Sequence, residues 1–521
     1  MPGLGRSVSS GIRLLAAAIC ATAYAAPPVT VAHASPLFEL IGGVGDRAGF
    51  NGRTTGASPA SAYFNPALLP KAAPEFETGV LILNDAIELA LDGRGPVDVP
   101  VAYRGATHAD GRVFDRPSLP TPWLRNGCIP PECEIPLMAR PRQTQGSSGD
   151  TRAYTLLGLA TQLIGPQLVL GLYGLVPLAE FTSGHSFFVD EREQFSSNSL
   201  HPELYADRLT STSLAMGLGS QILPRLSIGL TFTLGLHNTA ASSSFVGNAD
   251  DLSGTLIVSN QVSVETQFAP HFGVTYDPVD RVHLSATAHS VQLFDIVTTI
   301  RNLLPNGNEQ QATRRQVHDY LPWRFALGFT IDVLAPETDQ HVQPEHALAL
   351  CATGVYSLWS NYVDRQGERP VAPYGWANTL DLTVGVRHSY GPLRSFVDVR
   401  YVPSPVPLQT GRTNYVDNDR VSASLGFDYE FDVWEATWRV GVQGQAHVLL
   451  ERTQKKLNPL SADTGIDRAQ LVRDEFPDDA VDERGEPIAS AAGLQTNNPG
   501  WPGFSSRGIL GGAGVTIGLL F

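Results

Sequence analysis

From Arg225 onward an apolar residue stands at every second position: Leu226, Ile228, Leu230, Phe232, Leu234 and Leu236 share one face. Ser227, Gly229, Thr231, Thr233, Gly235 and His237 share the other. A period of two marks a strand with one face in an apolar medium and the other against water or polar protein. The pattern returns in Trp323, Phe325, Leu327, Phe329, Ile331 and Val333, which alternate with Arg324, Ala326, Gly328, Thr330 and Asp332. Val421, Ala423, Leu425, Phe427, Tyr429 and Phe431 repeat it against Ser422, Ser424, Gly426, Asp428, Glu430 and Asp432. Such segments number about fourteen: 75–91, 151–164, 167–183, 208–222, 225–243, 261–276, 281–298, 321–334, 345–363, 376–389, 394–403, 420–432, 435–452 and 507–521.

The connections between them alternate in length. Gly165-Pro166, Leu223-Pro224, Asp277-Pro278-Val279-Asp280, Tyr390-Gly391-Pro392 and Asp432-Val433-Trp434 are tight links. The link from Ala335 to His346 is longer than the rest of that set. The intervening connections are mostly long, as the external loops of outer-membrane barrels are. A soluble β-sandwich would also alternate, but it would not separate short links from long ones. The expected fold is therefore all-β: a transmembrane antiparallel β-barrel of about fourteen strands, with N- and C-termini on the periplasmic side. Counting back from Phe521, Leu519, Ile517, Val515, Ala513 and Ile509 share its face. This last strand is expected to pair with the first and close the sheet. No run of about 18 apolar residues suggests a transmembrane helix. A formal net charge of −15 argues against a nucleic-acid surface.

Arg6, Arg13 and the apolar run Leu14 to Ala26 precede two small-residue sites, Ala23-Tyr24-Ala25 and Ala32-His33-Ala34. Residues 1–34 therefore read as a secretory signal peptide. Residues 35–74 carry a glycine-rich run with Gly42, Gly43, Gly45 and Gly49, then Ser61-Ala62-Tyr63-Phe64-Asn65-Pro66-Ala67. Gly43 to Ala48 spells a dinucleotide fingerprint, but no strand precedes it and no crossover helix follows. A weakly periodic segment of this kind is expected inside the barrel as a plug, with residues 75–521 forming the wall. Cys128 and Cys133 sit close together in a Pro-rich loop, where an oxidising periplasm favours a disulfide. No histidine or acidic cluster at ligand spacing accompanies them, so no metal or other cofactor is expected.

The early strands are apolar on both faces, as in Val80-Leu81-Ile82-Leu83 and Tyr154-Thr155-Leu156-Leu157, so apolar side chains are expected inside the barrel. Late strands instead point Asp381, Arg387, Asp398, Arg400, Asp428, Glu430 and Arg439 inward. Buried charges must be paired, and a salt-bridge network is expected there. In the third strand, Pro177 follows Gly174. Proline either kinks that strand and opens the wall or marks its end at the rim. The next loop clusters Phe187, Phe188, Phe195, Leu200, Leu204 and Tyr205, an apolar surface suited to holding a lipid-like ligand or to packing as a small loop core.

The glycine-rich segment, Asn65-Pro66-Ala67 just before the first strand, the Gly171 to Pro177 run and the terminal Phe521 together resemble the FadL family of outer-membrane transporters for long-chain fatty acids and other hydrophobic compounds. The resemblance implies a fourteen-stranded barrel with an N-terminal hatch, in the outer membrane of a Gram-negative bacterium. Asn65, Pro66 and Ala67 would lie in the hatch against a kink in the third strand, with Gly174 or Pro177 marking that kink and a lateral exit. Phe38 would reach into the lumen and contact ligand; Tyr173 and the loop residues Phe187, Phe188 and Phe195 are the other candidate ligand contacts. Passive transport is expected rather than catalysis. The expected partners are a hydrophobic small molecule, outer-membrane lipid and the barrel-assembly machinery, with the chain monomeric. A general porin or structural barrel is the alternative, followed by a lipid hydrolase using His289-Ser290 or Ser199-Leu200-His201.

Overall fold

The computed structural model describes residues 36–521 except 46, 93–144, 166, 179–199, 203, 210–211, 247–255, 304–308, 335–345, 365–366, 368, 371–374, 411–412, 435, 457–499 and 501–502. Within these residues fourteen antiparallel strands close into a barrel. They are β1 (Glu75–Leu91), β2 (Thr151–Gln162), β3 (Val169–Pro177), β4 (Ser213–Leu223), β5 (Leu226–Val246), β6 (Leu256–Val279) and β7 (Val282–His289). The other seven are β8 (Arg324–Leu334), β9 (His346–Ser357), β10 (Thr379–Tyr390), β11 (Leu393–Val402), β12 (Arg420–Val433), β13 (Ala436–Lys455) and β14 (Gly503–Leu520). Each pairs with the next, and β14 returns to β1 in unbroken register from Glu75↔Leu520 to Leu91↔Phe504. Closure leaves no free edge in the wall.

The alternation read from the sequence sorts side chains between the two faces. On β8, Leu327 is 72% exposed on the outside, while Arg324 is 3% exposed on the inside. Val421, Leu425, Phe427 and Tyr429 of β12 face out, and Ser422, Ser424 and Asp428 are buried within. An apolar outer surface on a barrel with a polar interior is stable in lipid, where backbone groups must be satisfied by the ladder itself.

The seventh strand departs from expectation. The span 281–298 is not one strand, because β7 ends at His289 and Ser290 donates its N–H to the Pro270 carbonyl. The chain then changes neighbours. Gln292–Leu303 runs parallel to the upper part of β5, from Ile296↔Asn238 to Leu303↔Phe245, and forms a hairpin with Glu309–Leu321. That second hairpin strand, with three Gln and two Arg among its 13 residues, lacks alternation, so the period-two signal could not reveal it.

Candidate functional site

Residues 36–74 touch inward-facing side chains on strands all round the barrel and so occupy its lumen. The segment forms three short helices, α1 (Leu37–Ile41), α2 (Gly52–Thr55) and α3 (Ser61–Phe64), and a 3₁₀ turn at Pro66–Lys71. A bridge between Gly43 and Gly49 closes the loop between α1 and α2. Asn65 caps the 3₁₀ turn by accepting the Ala67 N–H at 3.1 Å, with Pro66 at the first helical position.

A ladder of wall glycines receives this turn. Gly219, Gly229 and Gly273 are direct cross-strand partners on β4, β5 and β6. A Cβ at Gly219 would overlap the Pro66 carbonyl oxygen, one at Gly229 the Pro66 carbonyl carbon, and one at Gly273 the Asn65 side-chain oxygen. Only glycine lets two backbones approach this closely. Thr231 donates to the Ala62 carbonyl at 2.5 Å, and Thr275 to that of Ala67 at 3.3 Å. Asn65-Pro66-Ala67 therefore rests on the fourth, fifth and sixth strands, which corrects the expected seat against the third. What meets β3 is Ala62 and Leu69, at Gly171.

One side of the lumen is apolar, as the early strands imply. Leu81, Leu83, Tyr154, Leu156, Tyr173 and Leu175 are buried there with Leu37, Phe38 and Ile41 of the inner segment. Phe38 stacks on Tyr173 with ring centres 5.1 Å apart and packs on Tyr63 at 4.5 Å. The Tyr173 hydroxyl accepts the Val44 N–H at 3.0 Å.

The opposite side is charged, and its charges hold the segment. Asp398 accepts from the Phe50 N–H at 2.8 Å and from the Asn51 amide at 2.8 Å, while Arg387 grips it through two nitrogens at 2.7 and 3.1 Å. Arg387 also donates to the Ala48 carbonyl, and Thr353 to the Asn51 side chain. A second anchor centres on Glu39, which pairs with Arg53 at 2.7 Å and Arg324 at 2.5 Å and accepts the Tyr63 hydroxyl at 2.8 Å. Burial alone would raise the Glu39 carboxyl, but Arg324, Arg53 and Arg400 outweigh it and hold the group well below the ordinary carboxylate range. Burial pushes the Tyr63 hydroxyl well above its ordinary value, so it remains a donor. Arg400 pairs with Asp381, and Arg439 joins Glu75 to Glu430.

Above α1 the mouth is roofed by Tyr320, Trp359, Tyr362, Trp376 and Tyr415, with Tyr362 stacked on Trp376 at 3.5 Å. Residues His201–Pro202 pair with Tyr415–Val416, and Tyr205 donates to Asn418 at 2.8 Å, which ties two loops together. Leu204 and Tyr205 are buried in the same cluster as the roof, while Leu200 packs with Leu89, Leu91, Val416 and Phe504. Between roof and α1 lies a cavity of about 40 Å³, bordered by Leu40, Leu204, Trp359, Arg324, Arg400 and Arg420. That is space for roughly two or three waters, far below a drug-sized pocket of about 300 Å³ or more.

Asp417 borders the same cavity. Burial raises its carboxyl to about 6 against the opposing pull of Arg420. The folded state thus holds a proton that the unfolded chain, with its ordinary value of 3.8, has released. The contribution of Asp417 to stability is expected to be fully present below about pH 4, to fall between about pH 4 and 6, and to be gone above, by at most about 3 kcal/mol. Asp417→Asn should flatten this slope when protease resistance of the roof is followed against pH; an unchanged slope would refute the assignment.

Of the two readings of Pro177, the described residues show the rim and no break in the third strand up to Pro177. β3 pairs with β2 from Gln162↔Val169 to Tyr154↔Pro177, and with β4 from Val169↔Gly219 to Leu175↔Ser213, without a register shift. Pro177 is the last residue of the strand, at its rim, and Gly174 opens no gap, since a Cβ there would stand 3.0 Å from Leu214. Phe187, Phe188, Phe195, Cys128, Cys133, Ser199 and the signal region 1–34 lie outside the described residues. His289 does not engage Ser290; its Nε2 lies 3.3 Å from the Phe64 carbonyl and its ring packs against His271. Among the described residues no group of three or more His, Cys, Asp or Glu could hold a metal ion.

The sequence did not single out Glu39, Asn51, Arg53 or the glycine ladder. Glycines recurring on the polar face of three consecutive strands were the available signal for the last of these.

No protein-family model matches the chain, and no curated protein does. Among solved structures, it is similar to a Pseudomonas aeruginosa FadL homologue, with 14% identity, a TM-score of 0.49, and coverage of 94% of this chain and 98% of that one. The P. putida toluene transporter TodX is similar at 12% identity and a TM-score of 0.43, covering 94% and 99%. The Ralstonia pickettii toluene transporter TbuX is similar at 11% identity and a TM-score of 0.38, with the same coverage of 94% and 99%.

Proposed function

We propose that this chain is a passive route for hydrophobic small molecules across the outer membrane of a Gram-negative bacterium, with residues 36–74 as its hatch. The observation that carries the reading is the apolar half of the lumen, where Leu81, Tyr154, Leu156, Tyr173 and Leu175 face inward and Phe38 covers them. A water-filled pore has no use for such a wall. For a hydrophobic ligand it is a dry path, worth about 0.8 kcal/mol for every CH₂ kept from water. In this reading ligand enters past the aromatic roof, displaces Phe38 from Tyr173, and moves along β1 to β3 as the hatch shifts. Sideways release at the third strand would require β3 to part from β4 beyond Leu175↔Ser213, where their ladder stops.

Uptake by cells with and without the gene tests the reading. A labelled long-chain fatty acid and a labelled aromatic hydrocarbon are the two probes. Faster entry of either is the expected result and assigns the ligand class. Equal rates for both probes would remove the proposal.

A further inference from the structure

We propose that the cavity beneath the aromatic roof takes up one small monovalent anion, held by Arg420, together with a proton on Asp417. Six ionisable side chains border that cavity: Glu39 of α1, Arg324 of β8, Asp381 of β10, Arg400 of β11, Asp417 of the roof loop and Arg420 of β12. Two of the three cations are matched. Arg324 pairs with Glu39, which Arg53 also holds, and Arg400 pairs with Asp381. Arg420 is different. It is 8% exposed, has no ion pair among the described residues, and its Nη1 has no hydrogen-bond partner there. The carboxylate that attracts it most is Asp417.

A buried charge must be matched, and Asp417 balances Arg420 only while it is ionised. Its carboxyl titrates at about 6, with Arg420 and Arg452 on one hand and the Tyr205 hydroxyl on the other as the groups that face it. Once Asp417 takes a proton, Arg324, Arg400 and Arg420 stand against Glu39 and Asp381 alone, and one positive charge is left over. An anion beside Arg420 cancels it. The protonated Asp417, whose Oδ1 has no partner among the described residues, then has an acceptor for its hydrogen. Anion and proton therefore bind as a pair, each tightening the other by the same factor. Size selects the anion. The cavity of about 40 Å³ has the room of roughly two or three waters, which suits chloride or formate and leaves no space for an alkyl chain. Leu40, Leu204 and Trp359 border the same space and keep bulk water from screening the attraction. Held there, the anion joins the roof loop to the wall and fastens the roof.

Equilibrium dialysis of labelled formate against the full-length protein in detergent tests this, with gluconate keeping the ionic strength constant. One formate per chain should bind at pH 5, displaced by chloride, and about tenfold more weakly at pH 7.5. Arg420→Gln should bind none, and Asp417→Asn should bind with the same affinity at both pH values. Chloride should also slow proteolysis of the roof at pH 5 in the native protein and not in Arg420→Gln. Folding of each variant is read from gel mobility before heating. Octanoate separates a free anion from the end of a longer molecule: it should not displace formate, and displacement at lower concentration than chloride needs would overturn the assignment to a free anion. No formate bound to the native protein at pH 5, or equal binding by folded Arg420→Gln, would overturn the site. Neither readout involves uptake of fatty acid or hydrocarbon, so this proposal and the transport reading can fail separately.

Discussion

Gly229→Leu should convert the closed barrel into an open channel. The new Cβ would stand 2.6 Å from the Ala67 nitrogen and overlap the Pro66 carbonyl carbon, backbone atoms that have no rotamer to escape into. The wall cannot yield easily, because β5 is paired on both sides through Gly219 and Gly273. The inner segment must lift instead, losing the Thr231 bond to Ala62 and the Thr275 bond to Ala67. Overpacking of this kind costs about 1–3 kcal/mol, enough to shift seating by roughly 5–150-fold. Planar-bilayer recordings should therefore show steps of ion current that the native protein lacks. Gly229→Ala should show the same effect in smaller measure. Gly354→Ala is the control, since nothing lies within 3.7 Å of its Cβ position. A folded Gly229→Leu protein as silent as the native one would rule out the glycine ladder as the seat.

The second large effect is expected at Asp398. Asp398→Ala leaves the Arg387 guanidinium buried without its partner and strips the Phe50 N–H and the Asn51 amide of their acceptor. Breaking one half of a buried ion pair costs about 3–5 kcal/mol. The loss should appear as a lower midpoint of urea unfolding and as faster proteolysis within residues 43–55. Removing the charge on both sides should recover part of it, because Asp398→Ala with Arg387→Ala leaves no orphan charge. The coupling energy from that cycle separates the ion pair from the bonds to the segment. An Asp398→Ala protein within about 1 kcal/mol of the native one would contradict an anchoring role, since that is the scale of an exposed pair.

The two predictions draw differently on the sequence. Asp398 and Arg387 were both legible as inward charges, because their strands alternate cleanly with apolar neighbours. That Asp398 would hold Asn51 was not, since the two residues are 347 positions apart. Proline's missing donor leaves Pro177 either a kink or the rim end of the third strand, and the structure has the second: Pro177 is the last residue of the ladder with β2. The position of Asn65-Pro66-Ala67 before the first strand places it in the inner segment, but its seat on β4, β5 and β6 rather than on β3 depends on the packed barrel.

The sequence alone determined most of the wall strands, the face their residues take, and the contrast between an apolar early wall and a charged late one, but not the hairpin Gln292–Leu303 with Glu309–Leu321. These are local properties, because the pleat sends alternate side chains to opposite faces wherever the strand ends up. Only the tertiary structure decided which inward residues meet. The register of β4, β5 and β6 brings Gly219, Gly229 and Gly273 into one row. Closure through β1 and β14 then sets both anchors around residues 36–74. Neither register nor closure is written in any single strand, since each depends on pairing between strands and on the barrel closing on itself.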